Sequence, residues 1–199
     1  MRVLLNVSGL IDRCNNWIGR MIMWLVLVTV LISAANAVMR KAFNIGSNAF
    51  LEIQWYIFAA VFMLGAGYVM LKNAHVRIDF ISSRLSKRTN AWIDAIGIVV
   101  FTIPLSLIMV ELGWPLFARA WSSGEVSHNA GGLIRWPVLL LVPLGFSILI
   151  LQSVSELIKR IAFLQGRISE PFSPDEHRSD EEIMAEELAA RSDPTASRA

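Results

Sequence analysis

The stretch "IQWYIFAAVFMLGAGYVML", residues 53–71, runs without a charged residue between Glu52 and Lys72. A helix needs about 20 apolar residues to cross the roughly 30 Å hydrocarbon core of a bilayer. Because backbone groups cannot stay unpaired in lipid, a run of this length must be helical. The stretch therefore predicts a transmembrane helix.

Three further runs pass the same test of length and apolarity. One is "MIMWLVLVTVLISAANAVM" between Arg20 and Arg40, and another is "WPVLLLVPLGFSILILQSVS" between Arg135 and Glu156. The sequence thus predicts an all-α membrane protein with four transmembrane helices. Their bounds are placed at about residues 18–39, 51–71, 92–114 and 136–156.

Two features of these runs have more than one interpretation. Ala35-Asn36-Ala37 is similar to a signal-peptide cleavage site, but hydrophobicity continues past it, which favours an uncleaved span. Pro104 and Pro143 lie inside the third and fourth runs and are expected to bend these helices without ending them.

Composition and charge agree with a membrane location. Hydrophobic residues make up 55% of the chain and charged residues 17%, against about 25% charge in soluble domains. Basic residues outnumber acidic ones in residues 1–167, the predicted membrane domain, and the reverse holds in residues 168–199. We expect the basic body to contact membrane lipids and the acidic tail to be disordered and cytoplasmic. No pattern indicates a nucleic-acid partner.

The flanks of the spans predict the orientation, since Lys and Arg are retained on the cytoplasmic side. The flanks predicted to be cytoplasmic carry Arg2, Arg13, Arg20, Lys72, Arg77, Arg84, Lys87, Arg88, Lys159, Arg160 and Arg167. The opposite flanks carry only Arg40, Lys41, Arg119 and Arg135. Both termini and the loop at 72–90 are therefore expected in the cytoplasm.

Catalytic and cofactor chemistry has few candidate residues in this chain. Cys14 is the only cysteine, and the three histidines fall in loops or in the tail, so no pair of helical imidazoles can hold a haem. No phosphate-binding loop or catalytic triad stands out. The sequence predicts neither an enzyme nor a bound cofactor or metal.

Four polar residues near the ends of the second span are candidates for a functional role. His75, Arg77 and Asp79 alternate with apolar residues in a short amphipathic segment after this span. They either form a solvated turn at the lipid headgroups or contact a partner. Glu52 either stabilises the first turn of the helix through the helix dipole or faces a partner subunit.

Residues 47–81, "SNAFLEIQWYIFAAVFMLGAGYVMLKNAHVRIDFI", resemble the signature of the DctQ-type small membrane subunit of tripartite ATP-independent periplasmic (TRAP) transporters. The matching positions are Glu52, Trp55, Leu64-Gly65-Ala66 and His75-Val76-Arg77-Ile78-Asp79. The resemblance extends over about residues 8–165. The loop "GEVSHNAGGLIRWP" (124–137) resembles the mannitol or chloroaromatic branch. Gln54 departs from the pattern, because many members have a basic residue there.

The resemblance implies a scaffold subunit in a bacterial inner membrane. Its partners would be a large permease subunit of the DctM type and a periplasmic substrate-binding protein, which together take up an organic acid with a sodium gradient. It implies a subunit or lipid interface at Glu52, Trp55, Gly65, His75, Arg77 and Asp79. An anchor subunit of an unrelated complex and a stand-alone four-helix transporter remain as alternatives.

Overall fold

The computed structural model describes residues 1–44, 48–73, 85–129 and 132–168. It contains four helices that are long and apolar enough to cross a membrane: α1 (Arg2–Ala42), α2 (Asn48–Leu71), α3 (Lys87–Ser123) and α4 (Trp136–Leu164). The described ranges contain no β-strand, only one isolated bridge between Val126 and Ile134. The predicted all-α fold with four spans is confirmed.

Local sequence sets several of the helix ends. The hydroxyl of Ser86 accepts a hydrogen bond from the backbone N–H of Thr89 at 3.1 Å and so caps the start of α3. Gly124 follows α3 in the left-handed conformation with φ of 62°, and Gly166 does the same after α4 with φ of 69°. Glycine adopts this conformation without strain, which lets the chain leave each helix sharply.

α3 changes its winding where proline interrupts the hydrogen bonding. Residues Ile98–Thr102 form a π-helical turn, in which the N–H of Ile103 bonds to the carbonyl of Ile98. Pro104 follows at once and has no N–H to donate to the carbonyl four residues earlier. The helix nevertheless continues to Ser123, and α4 likewise continues through Pro143. Neither proline breaks its helix, as the sequence predicted.

α4 is the central helix of the bundle. It packs against α1, α2 and α3, and α1 also packs against α2. Close approach depends on small residues: a Cβ atom added to Gly145 of α4 would lie 2.5 Å from the carbonyl oxygen of Met63 in α2. Because that neighbour is backbone, a side chain at position 145 would force the two helices apart.

The interior is small and polar, whereas the outer surface is apolar. The largest fully buried side chains are Gln152, Ser8, Ser106, Ser153 and Ser155. Bulky residues such as Trp24, Phe62 and Phe101 are more than half exposed. This reverses the arrangement of a water-soluble domain and suits a lipid solvent, in which apolar side chains gain nothing by leaving the surface.

α1 and α4 extend well beyond their predicted spans. α1 begins at Arg2 instead of about residue 18, and α4 ends at Leu164 instead of about 156. The extra turns carry polar side chains of α1 that bond directly to α4, including Ser8 and Asn15. The apolar run ends at the predicted span limits, but the helices continue beyond them because their polar side chains bond to each other.

Candidate functional site

The carboxylate of Glu52 holds the loop between α3 and α4. One oxygen, Oε1, accepts hydrogen bonds from the hydroxyl of Ser127 and from Nδ2 of Asn129, the latter at 2.6 Å. The other oxygen, Oε2, accepts from the backbone N–H of Leu133 at 2.7 Å. Three donors from one loop therefore converge on a single carboxylate of α2. We call residues 124–135 the Glu52 loop; its residues 130 and 131 lie outside the described ranges.

The Glu52 loop is also closed on itself at its base. Glu125 and Arg135 form an ion pair, and the N–H of Arg135 donates to the carbonyl of Glu125 at 2.9 Å. Val126 and Ile134 pair as a short antiparallel bridge, and the N–H of Ser127 donates to the carbonyl of Leu133 at 2.9 Å. These bonds present Ser127 and Leu133 side by side to Glu52.

Gly132 is required by the tight path of this loop. A Cβ atom at position 132 would lie 2.6 Å from the carbonyl oxygen of Ser127 and 2.9 Å from that of Asn129. Both neighbours are backbone atoms, so neither can rotate away. In the "GG" pair of the sequence, the second position must therefore be glycine because the loop leaves no space for a side chain.

The position of Glu52 differs from the predicted first turn of the second helix. α2 starts at Asn48 and has no acid in its first turn, and Glu52 is only 8% exposed. Its carboxylate is hydrogen-bonded within its own chain and makes no first-turn dipole contact, while a role at a subunit interface stays a prediction. The donors could have been anticipated from "SHNAGGL", because Ser, Asn and glycine-rich backbone readily bind an anion.

Trp55 and Gly65 lie in different surroundings along α2. Trp55 is 75% exposed and borders an open cavity of about 390 Å³ together with Glu52 and Asn129. Gly65 is buried, and a Cβ there would lie 3.6 Å from Ile22 of α1, an ordinary contact. The closer approach is at Gly67, where a Cβ would lie 2.5 Å from Oδ1 of Asn15.

His75, Arg77 and Asp79 lie outside the described residues, as does most of the acidic tail predicted at 168–199. Their contacts therefore stay predictions. Among the described residues, no cluster of three His, Cys, Asp or Glu side chains could hold a metal ion.

A second polar cluster joins α1 to α4 and was missed in the sequence. Gln152 lies at its centre: Oε1 accepts from Nδ2 of Asn15 at 2.8 Å, and Nε2 donates to Asp12 at 3.0 Å and to Glu156 at 3.1 Å. Ser155 donates to Asp12 at 2.8 Å. We call these five residues and Ser8, which bonds to Ser155 at 2.6 Å, the α1–α4 network.

The network continues into ion pairs at the end of α4. Lys159 pairs with Asp12 at 3.2 Å and with Glu156, and Arg160 pairs with Glu156 and, at 3.4 Å, with Asp94 of α3. Glu156 and Arg160 are almost fully buried. Buried charges are tolerated only when they are paired and hydrogen-bonded. This end of the bundle is therefore held by polar contacts among α1, α3 and α4.

Hydropathy alone could not reveal this network. The predicted spans stop at residue 156, and Asp12 and Lys159 count there only as flanking charges. The usable signal is spacing: Ser8, Asp12 and Asn15 recur at intervals of four and three, as do Gln152, Ser155 and Lys159. Such intervals place each set on one face of its helix.

Comparison with known proteins identifies the family that the chain matches. The family model described as "Tripartite ATP-independent periplasmic transporters, DctQ component" matches residues 25–163. No curated protein and no solved structure matches the chain. The matched range covers most of the chain and includes the Glu52 loop and Gln152.

Proposed function

Because the chain belongs to the family of DctQ components of tripartite ATP-independent periplasmic transporters, we propose that it supports a DctM-type large subunit in sodium-driven uptake of an organic acid. Membership makes it the small membrane subunit of a TRAP transporter, and we assign it no enzymatic role. A periplasmic substrate-binding protein would deliver the acid. The complex would lie in a bacterial inner membrane, with this chain crossing it four times.

The observation that supports a scaffold role is that the buried charged side chains form contacts within the chain itself. The charged side chains of Glu52, Glu156 and Arg160 are buried. Glu52 is bonded to the Glu52 loop and Arg160 to Asp94 of α3, while Glu156 is bonded to Lys159 and Arg160 within α4. A helix that couples transport to an ion needs an ionisable or coordinating group that substrate or ion can reach. Here these groups hold helices and a loop in place.

The orientation with both termini in the cytoplasm forms part of the proposal. It would place residues 72–90 in the cytoplasm and the Glu52 loop in the periplasm. Cysteine introduced at Ser123 should react with an impermeant thiol reagent in intact cells, and cysteine at Ser86 should not, both in a Cys14→Ser background. Reaction at position 86 in intact cells would reverse the topology.

The candidate interface residues take different roles in this proposal. Trp55 is exposed and would contact the large subunit or lipid directly. Glu52 and Gly65 are buried in the chain itself and would act by fixing the Glu52 loop and the packing of α1 on α2. His75, Arg77 and Asp79 would position the segment after α2 against the large subunit. The sequence of the Glu52 loop supports placing the chain in the mannitol or chloroaromatic-like branch.

Reconstitution in vesicles tests the proposed function. The chain alone should transport no organic acid under a sodium gradient, whereas uptake should appear when a large subunit and a binding protein are present. Uptake by the chain alone would indicate a stand-alone transporter. Purification in mild detergent should recover the large subunit with the chain; recovery of an unrelated complex instead would indicate an anchor in another assembly.

A further inference from the structure

A second cavity lies between the last turns of α1 and the start of α2, and Glu52 is not among the residues that line it. It has a volume of about 480 Å³ and is lined by Asn36, Arg40 and Lys41 of α1 and by Leu51 and Gln54 of α2. No acidic residue occurs among the described residues that line it. The cavity therefore carries two positive charges together with neutral amides.

Gln54 gives this cavity an unused hydrogen-bond donor. Its Nε2 atom is shielded from solvent and has no hydrogen-bond partner among the described residues. A buried amide N–H without a partner costs about 1 to 3 kcal/mol. An acceptor that entered the cavity would remove this cost, and an anionic acceptor would also meet Arg40 and Lys41.

The position of the cavity across the bilayer identifies the hydrogen-bond acceptor that would enter it. The apolar run of residues 21–39 ends at Arg40, and as a helix it is about 28 Å long, close to the thickness of the hydrocarbon core. Arg40 thus lies at the level of the lipid phosphates. Below it, Leu31 and Val38 of α1 are about 60% exposed and available to acyl chains.

We propose that this cavity binds the phosphate of one anionic phospholipid, through Arg40, Lys41 and the amide of Gln54. The inference is independent of the transport role. Basic pockets between transmembrane helices suit lipid headgroups because they combine charge with a fixed depth. A net-negative headgroup matches the cavity better than a zwitterionic one, since no acid is present to meet a positive group.

The test measures lipid retention by native mass spectrometry of the full-length chain, purified in detergent and mixed with phosphatidylglycerol or phosphatidylcholine. The wild type should retain one phosphatidylglycerol in preference to phosphatidylcholine. Replacing Arg40 and Lys41 together by Gln should lower that population about 25-fold, at about fivefold for each cation. Gln54→Leu, which keeps volume and charge, should lower it about tenfold.

Two matched variants separate the cavity from general surface charge. Arg20→Gln removes a cation at the opposite end of the same apolar run, and Gln165→Leu removes an exposed glutamine after α4. Both should retain phosphatidylglycerol within about twofold of the wild type. An equal loss in Arg20→Gln and in the Arg40 and Lys41 variant would mean nonspecific attraction and would overturn the proposal.

Two other outcomes would also overturn it. If excess inorganic phosphate displaces the lipid fully, the site selects a free anion and not a lipid. If all cavity variants retain phosphatidylglycerol normally and the Arg40 and Lys41 variant loses the co-purifying large subunit, the cations serve an acidic protein partner. Thermal unfolding of each variant, monitored by circular dichroism, checks that lost lipid does not reflect a lost fold.

Discussion

Replacing Gln152 by Leu removes the centre of the α1–α4 network while keeping its volume. Gln152 is fully buried and bonds to Asn15, Asp12 and Glu156. Asp12 keeps Ser155 and Lys159, and Glu156 keeps Lys159 and Arg160. The Asn15 amide keeps only a 3.4 Å contact with the carbonyl of Ile11 among its described bonds. Asn15 therefore bears most of the loss.

The magnitude follows from these remaining partners. A buried amide left without a strong partner costs about 1 to 3 kcal/mol. Each carboxylate loses one bond among several. The bond to Asp12 joins two membrane helices, where such a bond is worth about 0.6 kcal/mol on average, and the bond to Glu156 within α4 adds about 0.5 kcal/mol. We therefore expect Gln152→Leu to lower the free energy of unfolding by about 2 to 4 kcal/mol. Gln165→Leu, at an exposed position, should change it by less than about 0.5 kcal/mol.

The assay is equilibrium unfolding in mixed micelles with increasing dodecyl sulfate, followed by helical circular dichroism. A double-mutant cycle sharpens it, because Asn15→Ala removes the orphaned amide. The variant with both changes should be more stable than the sum of the single losses predicts, by about 1 kcal/mol or more. A loss below about 0.5 kcal/mol for Gln152→Leu, or strict additivity in the cycle, would refute the reasoning.

Three further predictions concern the loop, the helix packing and the segment after α2. Glu52→Gln should speed amide hydrogen exchange in the Glu52 loop, because a neutral amide cannot accept from all three donors. The exposed control Glu111→Gln should leave that exchange unchanged, and equal exchange in both would contradict the assignment. Gly145→Ala should lower stability in detergent by about 1 to 3 kcal/mol through overpacking against α2. Alanine at Gly97, where a Cβ meets open space, should not destabilise the protein. Arg77→Ala should reduce co-purification of the large subunit without changing the substrate concentration for half-maximal uptake; a shift in that concentration would place Arg77 on the substrate route.

The number and approximate positions of the helices could be predicted because lipid imposes a simple length rule on apolar runs. Arg20 and Arg40 bound the first run, but α1 extends to Arg2, since contacts with α4 stabilise turns that hydropathy excludes. Those contacts join residues more than 130 positions apart, such as Asn15 and Gln152. No local pattern specifies such pairing.

The candidate site was predicted in part. Glu52 stands out in the sequence as an acid in apolar surroundings, and the structure shows it buried. Its donors lie 75 to 81 residues away in the Glu52 loop, so only the packing of α2 beside that loop could identify them. The sequence indicated Gly65 as an interface residue, whereas the close approach of Gly145 to Met63 was not predicted.

The α1–α4 network determines how the protein responds to membranes of different thickness. Helices joined only by apolar contacts can slide or tilt separately when the hydrocarbon layer thins, at a small cost for each ångström of mismatch. Here, moving α1 by one residue along α4 would shift it by about 1.5 Å and misalign Ser8, Asp12 and Asn15 with their partners together. The two helices therefore move as one rigid unit. A bilayer whose hydrocarbon thickness does not match their apolar length must itself deform around the protein.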